Sequence, residues 1–425
     1  HTPPGNNPNG VAAVLLEALN KYVCNVTRGS AAQKGEQIIM ASSTSRRQFL
    51  KHAAAGATAI SMTASSYARV IGANDRISIG IIGCGNRGVG AHMAGINTHA
   101  KAENVVISAV CDPWRLRREA AAAKCKEWYN LDARQFVSYR DLLELDDIDA
   151  VTIASCDHQH TTHLRAAAEA KKDVYVEKPL GKDLDGLKKA CDAVKKNNVI
   201  VQVGTQLRSM ASMTGARDLY KTGILGKVGR IEQHRNGWRP YWYEYVKDVR
   251  REDVDWDEFL MHAPKRAFDP KRYSGWYGYR DYSDGSLPGL GSHFIDLVHY
   301  ITGAQFPEST VCQGGKYTWI DDYNFTCPDH VQATWTYPDG FMVSYTTNFG
   351  NGAGKTFTIF GENGMMDLVN WEKPMLTGDG AGPKKACVPE PKMIDHVERP
   401  DHMLNWLQCI RSRETPNASI DAGYQ

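Results

Sequence analysis

The feature that most constrains the fold is a regular succession of apolar strands and helical segments between Arg76 and Thr205. Runs rich in Ile and Val, such as RISIGIIG and NVVISAVC, each precede a segment compatible with a helix. Strands that alternate with helices are joined by right-handed crossovers, which produce a parallel sheet covered on both faces. The sequence therefore predicts an α/β fold with a doubly wound Rossmann sheet in residues 75–205.

The second half, residues 206–425, shows a different pattern. Strand-like runs are separated there by turn signals, as at Pro338–Gly340 and Glu362–Gly364. Such spacing favours antiparallel hairpins. We therefore predict an α+β domain with a large, mostly antiparallel open sheet, which would bind substrate and support oligomerisation. The final residues resemble the approach to a further helix, so we expect the native chain to continue beyond Gln425.

A glycine turn with the pattern GxGxxG follows the first strand, and Asp112 closes the next strand. In this context the glycines let the backbone approach a pyrophosphate, and the acid accepts hydrogen bonds from a ribose. Because Asp112 would repel a 2′-phosphate, the sequence favours NAD over NADP, although Arg115 would soften that preference. The cofactor-binding residues predicted in the turn are Gly83, Gly85, Asn86, Arg87 and Gly88.

The apolar strand DVYV ends abruptly in Glu177, Lys178 and Pro179. Doubly wound sheets bind ligands in the crevice beyond the carboxyl ends of their strands. We therefore expect Glu177 and Lys178 to lie at the nicotinamide end of the cofactor. Pro179, in the cis form, would fix the turn.

Three stretches, VYVEKPLG, IGIIGCGNRG and SCDHQHTTHLRAAAEAKKD, resemble the Gfo/Idh/MocA oxidoreductases. The resemblance covers essentially everything from Arg76 onward. It implies a Rossmann domain followed by an open-sheet domain. It also implies hydride transfer between a nicotinamide and a carbon that bears a sugar or polyol hydroxyl.

The second signature of that family, D-x-G-x-H-x-x-D, corresponds to GLGSHFID in this chain. The resemblance assigns His293 as the acid/base residue and Asp296 as the acid that follows it. Gly289 stands where many members have aspartate. Either another residue replaces that carboxylate or the chemistry is altered.

The resemblance also implies further contacts with the two ligands. Lys178 would act as an electrostatic and proton-relay partner of His293, while Glu177 would orient the nicotinamide ribose. Arg208 would lie toward the substrate. The remaining residues implied at the cofactor are Ser155, His158, His160 and Gln206.

Aromatic side chains are frequent between residues 238 and 282. Sugar rings stack well on aromatic planes, although most such residues pack in cores or interfaces. We expect one or two of them to line the substrate pocket, with Trp276 and Tyr279 first.

A metal centre is a weaker interpretation. His158, His160 and His163 come close together in DHQHTTH, but no second cluster completes a ligand set, and the ten cysteines show no CxxC spacing. We therefore predict no metal.

The N-terminal region predicts export of the folded protein. Paired arginines in SRRQFLK precede an Ala-rich segment and the small-residue pattern that ends at Ala68, as in a twin-arginine signal peptide. We assign residues 40–68 to this signal and residues 1–39 to non-native upstream sequence, with Met40 as the true start. The expected location is periplasmic or extracellular.

Charge and hydropathy narrow the class of partner. The net charge of +2 does not indicate a basic surface that binds nucleic acid. No apolar run reaches the length of a membrane helix. We expect a homo-oligomer, a dimer or tetramer, with a small carbohydrate substrate. The leading hypothesis is an exported sugar or glycoside oxidoreductase with tightly bound NAD. The alternatives are a glycoside hydrolase that oxidises its substrate transiently and a non-catalytic sugar or dinucleotide-binding protein.

Overall fold

The computed structural model describes residues 75–382 and 385–425. The predicted upstream segment, residues 1–39, and the predicted signal peptide, residues 40–68, lie outside the described residues. Within the described part of the chain, no helix is long and apolar enough to cross a membrane.

The first domain is the predicted parallel sheet, with strand order β3-β2-β1-β4-β5-β6. All of its strand pairs are parallel. Its strands are β1 (Ile77–Ile82), β2 (Val105–Cys111), β3 (Arg134–Phe136), β4 (Ala150–Ile153), β5 (Asp173–Val176) and β6 (Val201–Val203). Its helices are α1 (Ala94–His99), α2 (Arg115–Tyr129), α3 (Tyr139–Leu143), α4 (His160–Glu169) and α5 (Leu184–Asn197).

Helices cover both faces of this sheet, and this explains its continuous apolar strands. On one face, Val151 of β4 packs in the same core as Leu164 of α4. On the other face, Ile79 of β1 packs with Met93, in the π-helical turn Gly88–Met93 that leads into α1. Every residue of β4 and β5 is buried.

The second domain contains an eight-stranded sheet, in the order β14-β13-β12-β11-β7-β10-β9-β8. Only the described pair β7 and β10 is parallel. The hairpins predicted at residues 338–340 and 362–364 are confirmed. The strands are β7 (Val228–His234), β8 (Ser309–Gly315), β9 (His330–Tyr337), β10 (Phe341–Asn348), β11 (Thr356–Gly361), β12 (Gly364–Asp367), β13 (Met375–Thr377) and β14 (Lys392–Met393).

Two helices, α6 (Ala211–Lys221) and α9 (Ser292–Thr302), pack on one face of this sheet. Phe294, Leu297 and Val298 of α9 are buried in the core against strand residues of the sheet. This apolar face fixes the rotation of α9 and therefore the direction of its remaining side chains, including His293.

Residues 238–282 form an aromatic-rich insertion between β7 and α9. Trp242, Trp256 and Tyr282 of this insertion are buried in a separate core. It contains two short helices, α7 (Trp256–Leu260) and α8 (Pro270–Ser274). The insertion also contacts the Rossmann domain through a backbone hydrogen bond from Asp255 to the Pro113 carbonyl at 2.9 Å. It therefore links the two domains beside the end of β2.

The C-terminal helices α10 (His402–Ser412) and α11 (Ile420–Tyr424) return to the first sheet. Trp406 of α10 is fully buried in the same core as Ile79 and Ile107. This segment of the predicted second domain, residues 206–425, thus packs on the Rossmann sheet. Short helices carry no sequence signal for which of two sheets they cover.

Candidate active site

Lys178 lies at the turn after β5, where the Lys178–Pro179 peptide is cis, as expected. Its Nζ donates a hydrogen bond to the carbonyl oxygen of Gly289 at 2.6 Å. Burial lowers the pKa of Lys178 below its ordinary value, although Glu177 and Asp157 oppose that shift. The amine is thus closer to proton exchange at neutral pH than an exposed lysine.

Glu177 is held inside the protein by two basic side chains. Its Oε1 accepts a hydrogen bond from Arg87 Nε at 2.6 Å and lies 2.9 Å from His92 Nε2. Burial alone would raise the pKa of Glu177, but the His92 contact and the Arg87 charge hold it well below its ordinary value. Glu177 thus joins the π-helical turn Gly88–Met93 to the turn after β5, and its role in orienting a ribose stays a prediction.

His293 reaches the same region from α9. Its Nδ1 is buried and has no hydrogen-bond partner among the described residues. Burial, and then the charge of Lys178, lowers the pKa of His293 to about 3. The imidazole is therefore neutral at physiological pH and can accept a proton.

A cavity of about 1160 Å³ brings these groups together. Lys178 and Glu177 border it from the first domain, and His293 borders it from the second. The structure thus unites the two predicted catalytic residues, which lie 115 positions apart in the sequence, at one space large enough for a sugar.

Tyr241 accounts for the absence of a side chain at Gly289. A Cβ atom at position 289 would lie 2.5 Å from the Tyr241 hydroxyl. That hydroxyl borders the cavity and has no hydrogen-bond partner in residues 75–382 and 385–425. Its ring is held edge-on by Trp242, Tyr277 and Phe349. The Tyr241 hydroxyl therefore occupies the space that a side chain at position 289 would need.

The glycine turn is built for close backbone packing. Gly83 has φ of +94°, and a Cβ there would lie 2.6 Å from the Ala154 carbonyl carbon. A Cβ at Gly88 would lie 1.9 Å from the Gly83 oxygen. Only glycine fits either position without a shift.

Asp112 lies at the end of β2 beside this turn. Its carboxylate accepts hydrogen bonds from the backbone of Cys84 at 2.7 Å and of Trp114 at 2.8 Å. Burial raises the pKa of Asp112, while Arg117 opposes that shift. The acid is thus fixed at the position from which a Rossmann fold contacts a ribose.

A narrow groove runs from Asp112 and Gly85 toward the cavity. Asn86, Arg87 and Ser155 border both spaces, so the groove and the cavity adjoin each other. The lining has an acid at one end, a glycine turn in the middle and Lys178 at the other end, which is the order expected along a dinucleotide bound to a Rossmann fold.

The residues predicted from the loop after β4 have different positions. Ser155 and His160 border the cavity, as does Gln206. The His160 ring nitrogens lie 2.7 Å from the Pro179 carbonyl and 3.1 Å from the Ser155 carbonyl. The His158 Nε2 atom instead lies 3.1 Å from the Phe259 carbonyl, and His158 does not border either space.

Arg115, predicted at the cofactor, does not border either space. Its guanidinium is exposed and forms ion pairs with Glu119 and Asp253. Arg117 borders the groove instead and lies 3.1 Å from the position of a Gly85 Cβ. Both arginines belong to α2, and a shift of two residues turns the side chain to another helix face.

Arg208 and Asp296 were predicted to bind substrate, but they bind each other. Arg208 Nε donates to Asp296 Oδ1 at 2.5 Å, and both residues are buried outside the cavity lining. Burial raises the pKa of Asp296 to about 6, although Arg208 opposes that shift. The pair joins the segment after β6 to α9.

The two aromatic candidates lie elsewhere too. Tyr279 is fully buried, and its hydroxyl donates to the Tyr323 carbonyl at 2.8 Å. Trp276 stacks on Tyr277 at a ring distance of 3.7 Å and borders the groove rather than the cavity. The insertion therefore covers the predicted cofactor path.

Asp157, which directly follows Ser155 and Cys156 and resembles the family pattern there, also borders the cavity. The residues at the cavity that the sequence did not single out are Tyr241, Tyr277, Arg235 and Trp371. They come from insertion and sheet segments whose spacing carries no motif. The three histidines considered for a metal point to separate partners, and His163 Nδ1 lies 3.0 Å from the Ser155 hydroxyl.

Comparison with known families agrees with this architecture. The model of the oxidoreductase family with an NAD-binding Rossmann fold, GFO_IDH_MocA, matches residues 77–205. The model of the GFO/IDH/MocA C-terminal domain matches residues 213–367.

Several curated proteins are similar over part of their length. An uncharacterized oxidoreductase, YrbE of Bacillus subtilis, is 29% identical over 195 residues, which cover 44% of this chain and 54% of that protein. The 2,7-anhydro-N-acetylneuraminate hydratase of Escherichia coli is 25% identical, over 56% of this chain and 53% of that protein. The levoglucosan dehydrogenase of Pseudarthrobacter phenanthrenivorans is 25% identical, over 43% of this chain and 40% of that protein. The chain thus spans about half the length of the curated relatives that it matches.

Solved structures share the fold over more of the chain. Levoglucosan dehydrogenase in complex with NADH has a TM-score of 0.62 at 15% identity and covers 82% of this chain and 94% of its own. The WlbA dehydrogenase from Bordetella pertussis, in complex with NADH and UDP-GlcNAcA, has a TM-score of 0.61 at 19% identity and covers 82% and 92%. With both family models matched in order along the same two-domain fold, the chain belongs to the Gfo/Idh/MocA oxidoreductases and carries their NAD-binding Rossmann domain.

Proposed function

We propose that the protein moves hydride between NAD and a hydroxyl-bearing carbon of a sugar, polyol or glycoside. One observation carries the proposal. Lys178, Tyr241 and His293, an amine, a phenol and an imidazole, border one cavity that adjoins the groove beside Asp112 and the glycine turn.

These residues suit the proton half of alcohol oxidation. His293 is unprotonated at neutral pH and can take the hydroxyl proton at Nδ1, which is free of partners among the described residues. Because its low pKa also makes the imidazole a weak base, the transfer needs stabilisation of the developing alkoxide. Lys178 places a positive charge where an alkoxide would develop. The Tyr241 hydroxyl can donate to the same oxygen, since burial raises its pKa well above 10 and keeps it protonated.

The groove residues would hold the cofactor. When bound, NAD supplies the acceptor for the hydride. Gly83 and Gly85 leave room for its pyrophosphate, and Asp112 would accept from a ribose hydroxyl and repel a 2′-phosphate. Trp276 and Tyr277 cover the path, which supports tight retention of NAD. Relatives named for levoglucosan and inositol dehydrogenase activity support a carbohydrate or polyol substrate.

The test begins with the purified protein. Denaturation should release NAD, and the undenatured protein should reduce NAD with one or more members of a sugar and glycoside panel, followed by nicotinamide absorbance. Lys178→Met should lower turnover at least about 100-fold while NAD affinity stays within a few-fold. Lys182→Met is the matched control, because Lys182 lies four residues along the same loop and donates to the Arg280 carbonyl outside the cavity.

Normal turnover by Lys178→Met would refute the proposed mechanism. Release of an aglycone without accumulation of NADH would instead indicate the glycoside hydrolase, which the glycine at position 289 supports. Binding of both ligands without any turnover would indicate a sensor.

We also propose export and self-association. The paired Arg46 and Arg47 of the predicted signal support export, and their replacement by lysine should retain the protein in the cytoplasm in a cell-fractionation assay. Strand β8 supports self-association, because Val311 on it is 73% exposed. Light scattering should give the mass of a dimer or tetramer.

A further inference from the structure

Arg235 follows β7 and brings a cation to the cavity that the proposed reaction does not use. Its backbone donates to the Thr346 carbonyl at 2.8 Å, so its place beside the sheet is fixed. The side chain borders the cavity together with Lys178 and His293. Its Nη1 is buried without a hydrogen-bond partner, and it forms no ion pair in the described part of the chain.

The surroundings of this guanidinium lack a counter-charge. Its Cζ lies 5.1 Å from the centre of the Trp371 ring. Burial lowers the pKa of Arg235, and the groups that oppose this shift are two neutral phenols, Tyr345 and Tyr241. A partly buried cation without an anion is unfavourable, so the site is energetically incomplete without a ligand.

The charges of the whole cavity suit a monoanion. Four cations face three carboxylates along its lining, namely Arg87, Lys178, Arg235 and Lys355 against Asp157, Glu177 and Glu372. Because Arg87 already pairs with Glu177, the unpaired positive charge lies on the substrate side. A dianion would meet repulsion from the carboxylates that remain.

The cofactor does not account for Arg235. The glycine turn at Gly83–Gly88, where a pyrophosphate fits, borders the groove, and Arg235 borders only the cavity. Its unpaired donor therefore faces the space left for the second ligand.

We propose that the substrate carries a carboxylate, as a uronic acid or its glycoside does, and that Arg235 binds this group. The planar guanidinium can donate two parallel hydrogen bonds to one carboxylate, which a lysine cannot do. The carboxylate would fix the sugar with one hydroxyl toward Lys178 and His293. This inference rests on the proposed function, since it names the substrate class of that site.

The experiment compares four ligands that differ at one carbon: D-glucuronic acid, D-glucuronamide, D-glucose and D-glucose 6-phosphate. Affinity is measured by equilibrium dialysis with the NAD-loaded protein, and kcat/KM by nicotinamide absorbance. A charged hydrogen-bonded pair predicts a preference of about 10-fold to 100-fold for the acid over the amide and the neutral sugar. The phosphate should bind more weakly than the acid.

Arg235→Gln should remove this preference. If the glutamine variant does not fold, Arg235→Lys takes its place, and it should keep only part of the preference. Arg230→Gln is the matched control, because Arg230 lies on β7, the strand that leads to Arg235, is exposed and lies outside the cavity lining. Equal affinity for acid and amide, a stronger preference for the phosphate, or an unchanged preference in Arg235→Gln would overturn the inference. Oxidation of neutral sugars alone would overturn it and leave the proposed function intact, whereas tight binding of the acid without turnover would support it and count against the function.

Discussion

The space between Gly289 and Tyr241 can be tested by a double-mutant cycle. In the native protein, a Cβ at position 289 would lie 2.5 Å from the Tyr241 hydroxyl, well inside van der Waals contact. The ring cannot withdraw freely, because Trp242, Tyr277 and Phe349 surround it. Overpacking of this kind costs about 1–3 kcal/mol, so Gly289→Ala should lower the free energy of unfolding by that amount.

The same substitution should be tolerated after Tyr241→Phe. Without the hydroxyl, the new Cβ would lie 3.6 Å from Cζ of the ring, an ordinary contact. Gly289 lies in the π-helical turn Leu287–Gly291 before α9 and has no positive φ. At such a compatible position, replacement of glycine by alanine stabilises a protein by about 0.4–1 kcal/mol. Gly289→Ala should therefore be neutral or stabilising in the Tyr241→Phe background.

The assay is urea unfolding followed by tryptophan fluorescence for the native protein, both single variants and the double variant. Tyr241→Phe alone should keep its stability, because the hydroxyl has no partner within the described residues, and it should reduce kcat/KM. Tyr279→Phe is the control, since it loses a hydrogen bond to Tyr323 worth about 1 kcal/mol but lies away from the cavity. An equal cost of Gly289→Ala in both backgrounds would refute the proposed contact.

Three other predictions follow from buried polar groups. Burial lowers the pKa of His402 to about 4, although the hydrogen bond to the Val203 carbonyl opposes that shift. The unfolded chain therefore binds more protons below pH 6.5, and His402→Gln should recover up to about 3 kcal/mol of the stability lost between pH 6.5 and 4 in thermal melts. Arg208→Met should lower the free energy of unfolding in urea by about 3–5 kcal/mol, because it leaves Asp296 buried and unpaired. A smaller loss in the double variant Arg208→Met, Asp296→Asn would confirm this cause. Asp112→Asn should weaken NAD binding about 10-fold in calorimetry while NADP binding changes less, and equal losses for both would contradict the ribose contact.

The Rossmann half could be predicted because each local signal agreed with the fold. The strands of that sheet are buried on both faces, so their sequences are continuously apolar, and the close packing at Gly83 and Gly88 requires glycine. The position of Lys178 followed from the rule that ligands bind beyond the carboxyl ends of parallel strands.

The second half of the site could not be predicted in the same way. Asp296 has the residue type of a substrate ligand, but a partner 88 positions away, Arg208, makes it structural. Tyr241 replaces the absent side chain at Gly289 only because the insertion folds back over α9. Neither the Arg208–Asp296 pair nor the contact of Tyr241 with position 289 can be read from the local spacing of residues in the sequence.

A crystal structure of the protein with NADH would test the central claim most directly. We predict that the reactive carbon of the nicotinamide faces the cavity bounded by Lys178, Tyr241 and His293, leaving room for a substrate carbon at about 3–3.5 Å. A nicotinamide ring that faces away from this cavity, or a dinucleotide bound outside the groove beside Asp112, would contradict the account.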